Sequence, residues 1–225
     1  MWRARFYKAM PKILADHPKA RFLFLTLTVK NCRLSELREQ IDAMNAAWHR
    51  MIKRKFFPGV GFVKTIEVTR AVDGMAHPHI HVLLMVKPSY FTSGYVKQAE
   101  WTKQWQTSLK VYYDPVVHIR VVKENRLRKT KQSVPIADAL KEVLKYSVKG
   151  QDLTDSPEWL EGMMKALHKT RALSLGGLFK EYLSENDSED LLNTNPEAES
   201  MEILLDKAPW IFDWFPEAKR YIKGE

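Results

Sequence analysis

The sequence predicts an α+β fold in which an antiparallel sheet is flanked by helices. Runs of β-branched and aromatic residues, typical of strands, interleave with amphipathic segments of helical period. Two of the predicted strands flank a short turn at Asp73-Gly74, which makes that pair an antiparallel hairpin. With 225 residues and 45% hydrophobic content, the chain can build a sizeable core. A sheet layered against helices satisfies these observations together.

The first half of the chain supplies two predicted helices and most of the predicted sheet. Apolar residues at four-residue steps predict a basic amphipathic helix over residues 2–15. A second apolar stripe predicts a helix from Ser35 to about Phe56, which ends at Pro58-Gly59. Three strands are predicted from their β-branched, aromatic or alternating residues: Arg21–Lys30, Gly61–Arg70 and His77–Val86.

The second half is predicted to be mainly helical. Two tryptophans at helical spacing predict a helix over Lys97–Leu109, and an alternating run predicts a strand over Val116–Val122. A polar, basic surface loop is predicted over Lys123–Gln132. Gly176-Gly177 is predicted to interrupt the regular secondary structure further on. Two more helices are predicted between these points: Pro135–Lys149 and Pro157–Lys169.

Charge divides the chain into a basic body and an acidic segment. The whole chain carries +9, residues 181–206 hold nine acidic residues and no Lys or Arg, and residues 207–225 carry +1, which leaves +17 on residues 1–180. A body this basic indicates a nucleic-acid partner, with a solvated basic surface as the alternative. We predict a domain over residues 1–183, an acidic linker or tail over 184–200, and a C-terminal aromatic helical segment over 201–225 that packs on the body or on a partner.

Composition also indicates where in the cell the protein acts and which cysteine-based sites it lacks. No run approaches the ~18 apolar residues of a membrane span, and no signal-peptide pattern opens the sequence. The single cysteine, Cys32, excludes an internal disulfide framework and Cys-rich zinc sites. These features predict a cytoplasmic protein with no membrane partner.

The stretch HPHIHVLLMV at residues 77–86 places His79 and His81 on one face of a strand, because side chains alternate faces. Two adjacent imidazoles can chelate a divalent cation, although a pair of ordinary surface histidines has the same pattern. Glu67 lies in the preceding strand and needs a partner if it is buried. Two imidazoles and one carboxylate suit Mn²⁺ or Mg²⁺.

This metal site requires a particular hairpin register. A two-residue turn at Asp73-Gly74 would place Glu67 opposite Ile80, whose side chain lies on the wrong face. An odd loop such as Val72-Asp73-Gly74, with the glycine left-handed, places Glu67 opposite His79. A metal site at these residues therefore predicts an odd loop or a bulge.

Two other histidines lie in predicted strands. His77 shares the face of His79 and is either a third imidazole ligand or a cap on the hairpin, with Pro78 holding the backbone extended between them. His118 lies in the later strand VVHIR and is either a core histidine or a residue that supports the metal ligands.

A second constellation lies in the predicted helix that contains EVLKYSVK. Glu142, Tyr146 and Lys149 stand at i, i+4 and i+7, which is one helix face. A tyrosine flanked by Lys145 and Lys149 has its phenolate stabilised, which makes it a better nucleophile. The structural alternative is a half-buried tyrosine beside a Glu–Lys surface pair.

Three motifs in order, LTLTVKN at 25–31, HPHIHVLLMV at 77–86 and EVLKYSVK at 142–149, resemble the HUH endonucleases. The closest resemblance is to the replication initiators (Rep) of small rolling-circle plasmids, and the sequence of the motifs is similar to that of initiators of cyanobacterial type. The resemblance covers residues 2–185 and implies a ferredoxin-like palm, in which the metal-binding histidines lie on a central strand and the tyrosine on a facing helix.

The resemblance also implies an activity and its partners. Single-stranded or hairpin DNA at a plasmid origin would be nicked and rejoined by Tyr146, with Glu142 as base and Lys149 neutralising charge. A divalent metal, Mn or Mg, would be held by His79, His81 and Glu67. Host helicase and polymerase would act on the product. DNA contacts are expected from the residues Lys145, Arg126, Arg128, Lys129 and Lys131.

Two rival functions remain open from sequence. A single-tyrosine transposase shares the same chemistry, whereas a relaxase is disfavoured because its tyrosine usually precedes the histidines. A non-catalytic module that binds single-stranded nucleic acid would use exposed aromatic residues on central strands, where this chain has histidines and an acid.

Overall fold

The structure, a computed structural model, describes residues 2–123, 133–135, 143, 156–170, 173–189, 212–215 and 220–223. The helices are α1 (Trp2–Asp16), α2 (Leu37–Ile52), α3 (Gln98–Leu109), α4 (Pro157–Leu167) and α5 (Leu178–Glu189). The strands are β1 (Arg21–Thr28), β2 (Gly59–Arg70), β3 (Ala76–Val86), β4 (Val117–Lys123), β5 (Ser133–Pro135), β6 (Leu173–Gly177), β7 (Phe212–Phe215) and β8 (Arg220–Lys223). Short 3₁₀ turns lie at Leu34–Glu36 and Pro88–Phe91.

Strands β1 to β6 form a sheet in the order β5-β4-β1-β3-β2-β6. Its pairs are antiparallel except for the short parallel pair between β4 and β5. The predicted antiparallel sheet with flanking helices is therefore confirmed. The histidine strand β3 lies near the middle of the sheet, between β1 and β2.

The two sheet faces bury separate hydrophobic clusters. On one face, Leu25 of β1 and Val82 of β3 pack with α2, α3 and α4, including the fully buried Trp48, Trp101 and Trp105. The Trp105 indole N–H also donates to the carbonyl of Thr28 at 2.8 Å, which ties α3 to the end of β1. Packing on this face therefore holds the backbone that carries the site on the opposite face.

The opposite face is only partly covered by apolar side chains. Phe24 and Leu83 lie on this face and pack with Phe6 and Ile13 of α1 and with Phe179 of α5. Towards the other end of the same strands, the side chains become polar, with Thr26 on β1 and His79 and His81 on β3. We call this surface the polar face.

The β2–β3 hairpin has the predicted odd loop. Ala71 and Met75 close it, because the Ala71 amide donates to the Met75 carbonyl at 2.9 Å, and Val72-Asp73-Gly74 lie between them. Gly74 has a φ of 78°, in the left-handed region that favours glycine. Glu67 consequently pairs with His79, as the metal site required.

Several predicted boundaries are corrected by the structure. The second helix ends at Ile52 rather than near Phe56, and 3₁₀ geometry precedes it. Gly176-Gly177 belongs to strand β6 rather than to a break, because small residues let this strand lie close to β2. Pro135 ends strand β5 rather than beginning a helix. A proline is acceptable there because β5 is an edge strand.

The C-terminal assignments also change. Helix α5 runs to Glu189, so the first residues of the predicted acidic tail are helical. Phe212–Phe215 and Arg220–Lys223 form an antiparallel pair of strands, where the sequence predicted a helical segment. Aromatic and β-branched residues favour strands, and the intervening Pro216 disfavours a continuous helix.

The chain divides into two compact units, Met1–Ser184 and Glu185–Glu225. The sheet of β1 to β6 belongs to the first unit and the β7–β8 pair to the second. Among the described residues, no helix has both the length and the apolar character that crossing a membrane requires.

Candidate metal centre

Three side chains from the central hairpin converge on the polar face. Glu67 Oε2 lies 2.8 Å from His81 Nε2 and 3.0 Å from His79 Nε2. One donor atom from each residue lies within 4.8 Å of the others. The exposed fractions of Glu67, His79 and His81 are 5%, 9% and 6%. We call this carboxylate and two imidazoles the triad.

The triad is a consequence of strand register. His79 and His81 are two residues apart on β3, so both side chains lie on the same face. Glu67 lies directly across from His79 on β2, and Thr65 lies across from His81. Because neighbouring strands are about 4.8 Å apart, one carboxylate can reach both rings.

The hydrogen bonds around His79 identify which ring atom can bind a cation. His79 Nδ1 lies 3.2 Å from the His77 carbonyl, which can only accept, so Nδ1 carries the proton. His79 Nε2 then faces the Glu67 carboxylate, another acceptor, and needs either a second proton or a cation between them. Metal-binding histidines commonly donate their other ring N–H in this way. The donor set therefore fits a divalent cation.

His81 is oriented by a residue that sequence reasoning missed. Thr26 Oγ1 of β1 lies 3.2 Å from His81 Nδ1, and the register places Thr26 directly opposite His81. The signal was present in the Leu/Thr alternation of LTLTV, because the threonines share the face that the histidines use. A hydroxyl at Nδ1 leaves Nε2 directed at Glu67.

The buried histidines also determine the charge state of Glu67. Hydrogen bonds from His79 and His81 hold the pKa of the Glu67 carboxyl well below its usual range, against the opposing effect of burial. The carboxylate is therefore anionic at neutral pH, which is the form that binds a cation.

His77 is not part of this cluster. Its Nδ1 lies 2.7 Å from Asn31 Oδ1, and Asn31 Nδ2 donates to Asp73 of the hairpin loop at 3.4 Å. Burial and the neighbouring His79 lower the pKa of His77. Of the two readings from sequence, contact with the hairpin end describes His77 better than ligation.

The remaining predicted site residues lie outside the described part of the chain. They are Glu142, Tyr146, Lys149, Lys145, Arg126, Arg128, Lys129 and Lys131. Val143, which the structure does describe, is helical and fully buried in the hydrophobic cluster on the polar face. Within the EVLKYSVK motif, the described residue Val143 thus packs on the sheet face that carries the triad.

The fold and the triad together define a class: an α+β protein with a candidate two-histidine, one-carboxylate metal site on a central antiparallel hairpin. Within that class the chain can be assigned to a family, because the model of the replication proteins, Rep_1, matches residues 1–222. The chain belongs to the Rep_1 replication protein family.

Curated relatives agree with this assignment. A "Protein rep" of Lactiplantibacillus plantarum is 38% identical over 191 aligned positions, and the match covers 80% of this chain and 59% of that protein. A "Protein rep" of Streptococcus pneumoniae is 38% identical over 200 residues, 84% of this chain and 60% of the relative. A "Replication protein" of Staphylococcus aureus is 34% identical over 234 aligned positions, and the match covers 97% of each chain.

The chain spans about 60% of the length of the first two relatives. No solved structure matches it. The resemblance to replication initiators is therefore confirmed at the level of the family, while its HUH and cyanobacterial details stay predictions.

Proposed function

We propose that this protein initiates plasmid rolling-circle replication by nicking and rejoining single-stranded or hairpin DNA at the origin. The observation that carries the proposal is the convergence of Glu67, His79 and His81 in a chain of the replication protein family. A strongly basic body supports a DNA partner, since residues that neutralise phosphates supply most of the non-specific affinity for DNA.

The triad is the proposed cation site. His79 and His81 would bind through Nε2 and Glu67 through a carboxylate oxygen, the atoms that already face one another. One carboxylate and two imidazoles favour Mn²⁺ or Mg²⁺ with open positions for water and phosphate oxygens. A cation bound there would supply Lewis-acid chemistry, polarising the scissile phosphate.

Tyr146 is the proposed nucleophile. Its phenolate oxygen attacks the scissile phosphorus, the bond from phosphorus to the 3′ oxygen breaks, and that oxygen takes up a proton to leave as a free 3′-OH. The 5′ end of the DNA remains bonded to tyrosine. Because one phosphodiester replaces another, rejoining by the reverse attack needs no nucleotide cofactor.

The neighbours of Tyr146 have separate proposed roles. Lys149, with Lys145 beside the tyrosine, would favour the phenolate and neutralise charge on the phosphate. Glu142 would act as the general base for the nucleophile that ends the reaction. Val143, the described residue of the same motif, is buried in the hydrophobic cluster on the polar face, which supports the proposal that this motif acts beside the triad.

The free 3′-OH defines the protein's place in replication. It is a primer for a polymerase, and a helicase would supply further single strand. Basic residues of the loop predicted from the sequence at Lys123–Gln132 would hold the DNA through phosphate contacts: Arg126, Arg128, Lys129 and Lys131.

The experiment is a nicking assay on labelled single-stranded origin DNA with Mn²⁺ or Mg²⁺. Wild type is expected to cleave with either metal and to lose cleavage in EDTA. His79→Ala and His81→Ala should each lose cleavage, while His49→Ala, a matched change at an exposed position on α2, should not. Cleavage by either triad variant in chelator would refute the metal role. DNA binding without cleavage by wild type would favour a non-catalytic binding module.

A transposase would be revealed by its substrate. Cleavage confined to transposon-end hairpins, with no reaction at a plasmid origin, would favour that rival. Equal activity on unrelated sequences would argue against a site-specific initiator of either kind.

A further inference from the structure

We propose that His118 and Arg120 of β4 form a phosphate subsite for the same DNA strand, beside the triad. The proposal rests on the proposed function, because its ligand is a phosphodiester of the single-stranded substrate. It assigns a role to two exposed residues outside the triad and outside the basic loop.

Strand register places both residues on the polar face. Thr26 of β1 pairs with His81 on one side and with His118 on the other, so the three form a row across three strands. Phe24 pairs with Arg120 in the same manner. Val122, two residues further along β4, is buried in the hydrophobic cluster of this face. Because side chains alternate, His118, Arg120 and Val122 share that face.

Exposure increases along this row from the triad towards β4. Thr65 and His81 expose 7% and 6% of their surface, Thr26 is half-buried, and His118 is exposed. Arg120 is also exposed. The triad is nearly buried, so a polymer that reaches it must cross a more open part of the surface. The β1–β4 side of the polar face provides such a path.

The spacing suits a strand that passes from the subsite to the triad. Two strand spacings separate His118 from His81, or about 10 Å, and Arg120 lies two positions after His118 on the same strand, or about 7 Å away. These are distances on the scale of neighbouring phosphates in an extended single strand. His118 and Arg120 can therefore contact a phosphate other than the scissile one.

The chemistry of the two side chains favours phosphate. An arginine guanidinium presents a planar fork of donors that matches two phosphate oxygens, and an imidazole N–H can donate to a third. Within the part of the chain that the structure describes, neither side chain has a carboxylate partner that would compete. Thr26 lies between them and the triad without adding negative charge.

The experiment combines protein variants with neutral linkages in the DNA. Oligonucleotides spanning the nick site carry one methylphosphonate at a time, and wild type is compared with the double variant H118Q/R120Q. The control H49Q/K103Q removes one histidine and one cationic residue at exposed positions on α2 and α3, across the sheet. Folding and Mn²⁺ affinity without DNA are measured for every protein.

The expected result is a loss of affinity that depends on one linkage. H118Q/R120Q should bind the unmodified strand about tenfold more weakly than wild type, and its salt slope should fall by about 0.7 for each lost contact. In wild type, a neutral methylphosphonate linkage near the nick, but not at it, should lower the affinity for the strand by a similar factor. That penalty should vanish in H118Q/R120Q but persist in the control.

Three results would overturn the subsite. If H118Q/R120Q nicks and binds as the control does, the subsite is refuted and the proposed function stays intact. A scan of wild type in which only the scissile linkage matters refutes it without reliance on any variant. Failure of wild type to bind or nick single-stranded DNA refutes the proposed function and the subsite with it.

Discussion

Glu67 pairs with His79 across the β2–β3 hairpin, and Glu67 Oε2 lies 3.0 Å from His79 Nε2. The same oxygen lies 2.8 Å from His81 Nε2, so a single carboxylate joins two imidazoles that are two residues apart. Backbone register alone creates this arrangement, and the nearly complete burial of all three side chains makes each of them sensitive to substitution.

Glu67→Gln is expected to weaken Mn²⁺ binding at least tenfold, because the amide has the same size but lacks the anionic oxygen. The measurement is isothermal titration of each protein with Mn²⁺ at pH 7. Glu39→Gln, at an exposed position on α2, provides the control and should bind as wild type does. Unchanged affinity in Glu67→Gln would remove the carboxylate from the ligand set and make His77 the next residue to test.

Thr26→Val is expected to weaken Mn²⁺ binding by roughly tenfold while leaving the fold intact, because valine keeps the shape but removes the hydroxyl beside His81 Nδ1. Thr26→Ser, which keeps the hydroxyl, should restore most of the affinity. If the serine variant binds as poorly as the valine variant, Thr26 acts through packing and not through its hydrogen bond.

Gly74→Ala is expected to destabilise the protein by about 1 kcal/mol, because a side chain at φ 78° is strained. The added methyl group meets no atom within 4 Å, so the cost comes from the backbone alone. Gly74→Asn should cost less, since asparagine tolerates the left-handed region. Urea unfolding measures both. Equal stability of all three proteins would contradict the strained-loop explanation.

Lys64→Met is expected to stabilise the protein at neutral pH. Lys64 is 2% exposed, faces the α2 side of the sheet and donates to Asn45 Oδ1, and burial lowers its pKa to about 8. The unfolded chain therefore binds more protons between pH 8 and the ordinary lysine value of 10.5, and wild-type stability rises with pH across that window. Below pH 8 the buried charge of Lys64 lowers the free energy of unfolding by its full amount, on the order of 3 kcal/mol at most.

The measurement is the difference in unfolding free energy between wild type and Lys64→Met at several pH values. The difference should be largest at pH 7 and shrink as the pH passes 8. Lys103→Met, at an exposed position on α3, should show no such trend. A difference that does not vary with pH would mean that Lys64 binds its proton equally in the folded and unfolded chain, so that burial does not lower its pKa.

The triad was predictable because strand alternation and the length of the hairpin loop determine it. Alternation placed His79 and His81 on one face, and the odd loop required for Glu67 to meet them is the loop that the structure contains. The role of Thr26 was harder to predict from the sequence. Its contact with His81 depends on which strand lies beside β3, and the pairing of β1 with β3 joins segments that are distant in sequence.

The errors in the predicted secondary structure have physical reasons that lie in strand pairing. In the sequence, Gly176-Gly177 has the pattern of an interruption between secondary-structure elements. A Cβ at Gly177 would lie 2.2 Å from the Val60 carbonyl oxygen, however, so pairing of β6 with β2 requires glycine there. Pro135 resembles a helix start, and only the neighbouring strand shows that it ends a short edge strand instead. In both cases tertiary pairing outweighs the local signal.

The proposed nicking by Tyr146 is tested most directly by identifying the residue that becomes covalently bound to DNA. Wild type is incubated with single-stranded origin DNA and Mn²⁺, digested, and analysed by mass spectrometry. We expect a 5′-phosphotyrosyl adduct on Tyr146, no adduct with Tyr146→Phe, and nearly unchanged DNA binding by that variant. Nicking by Tyr146→Phe, or a wild-type adduct on another tyrosine, would contradict the proposed role of Tyr146; the alternatives to exclude are Tyr90, Tyr95, Tyr112 and Tyr113.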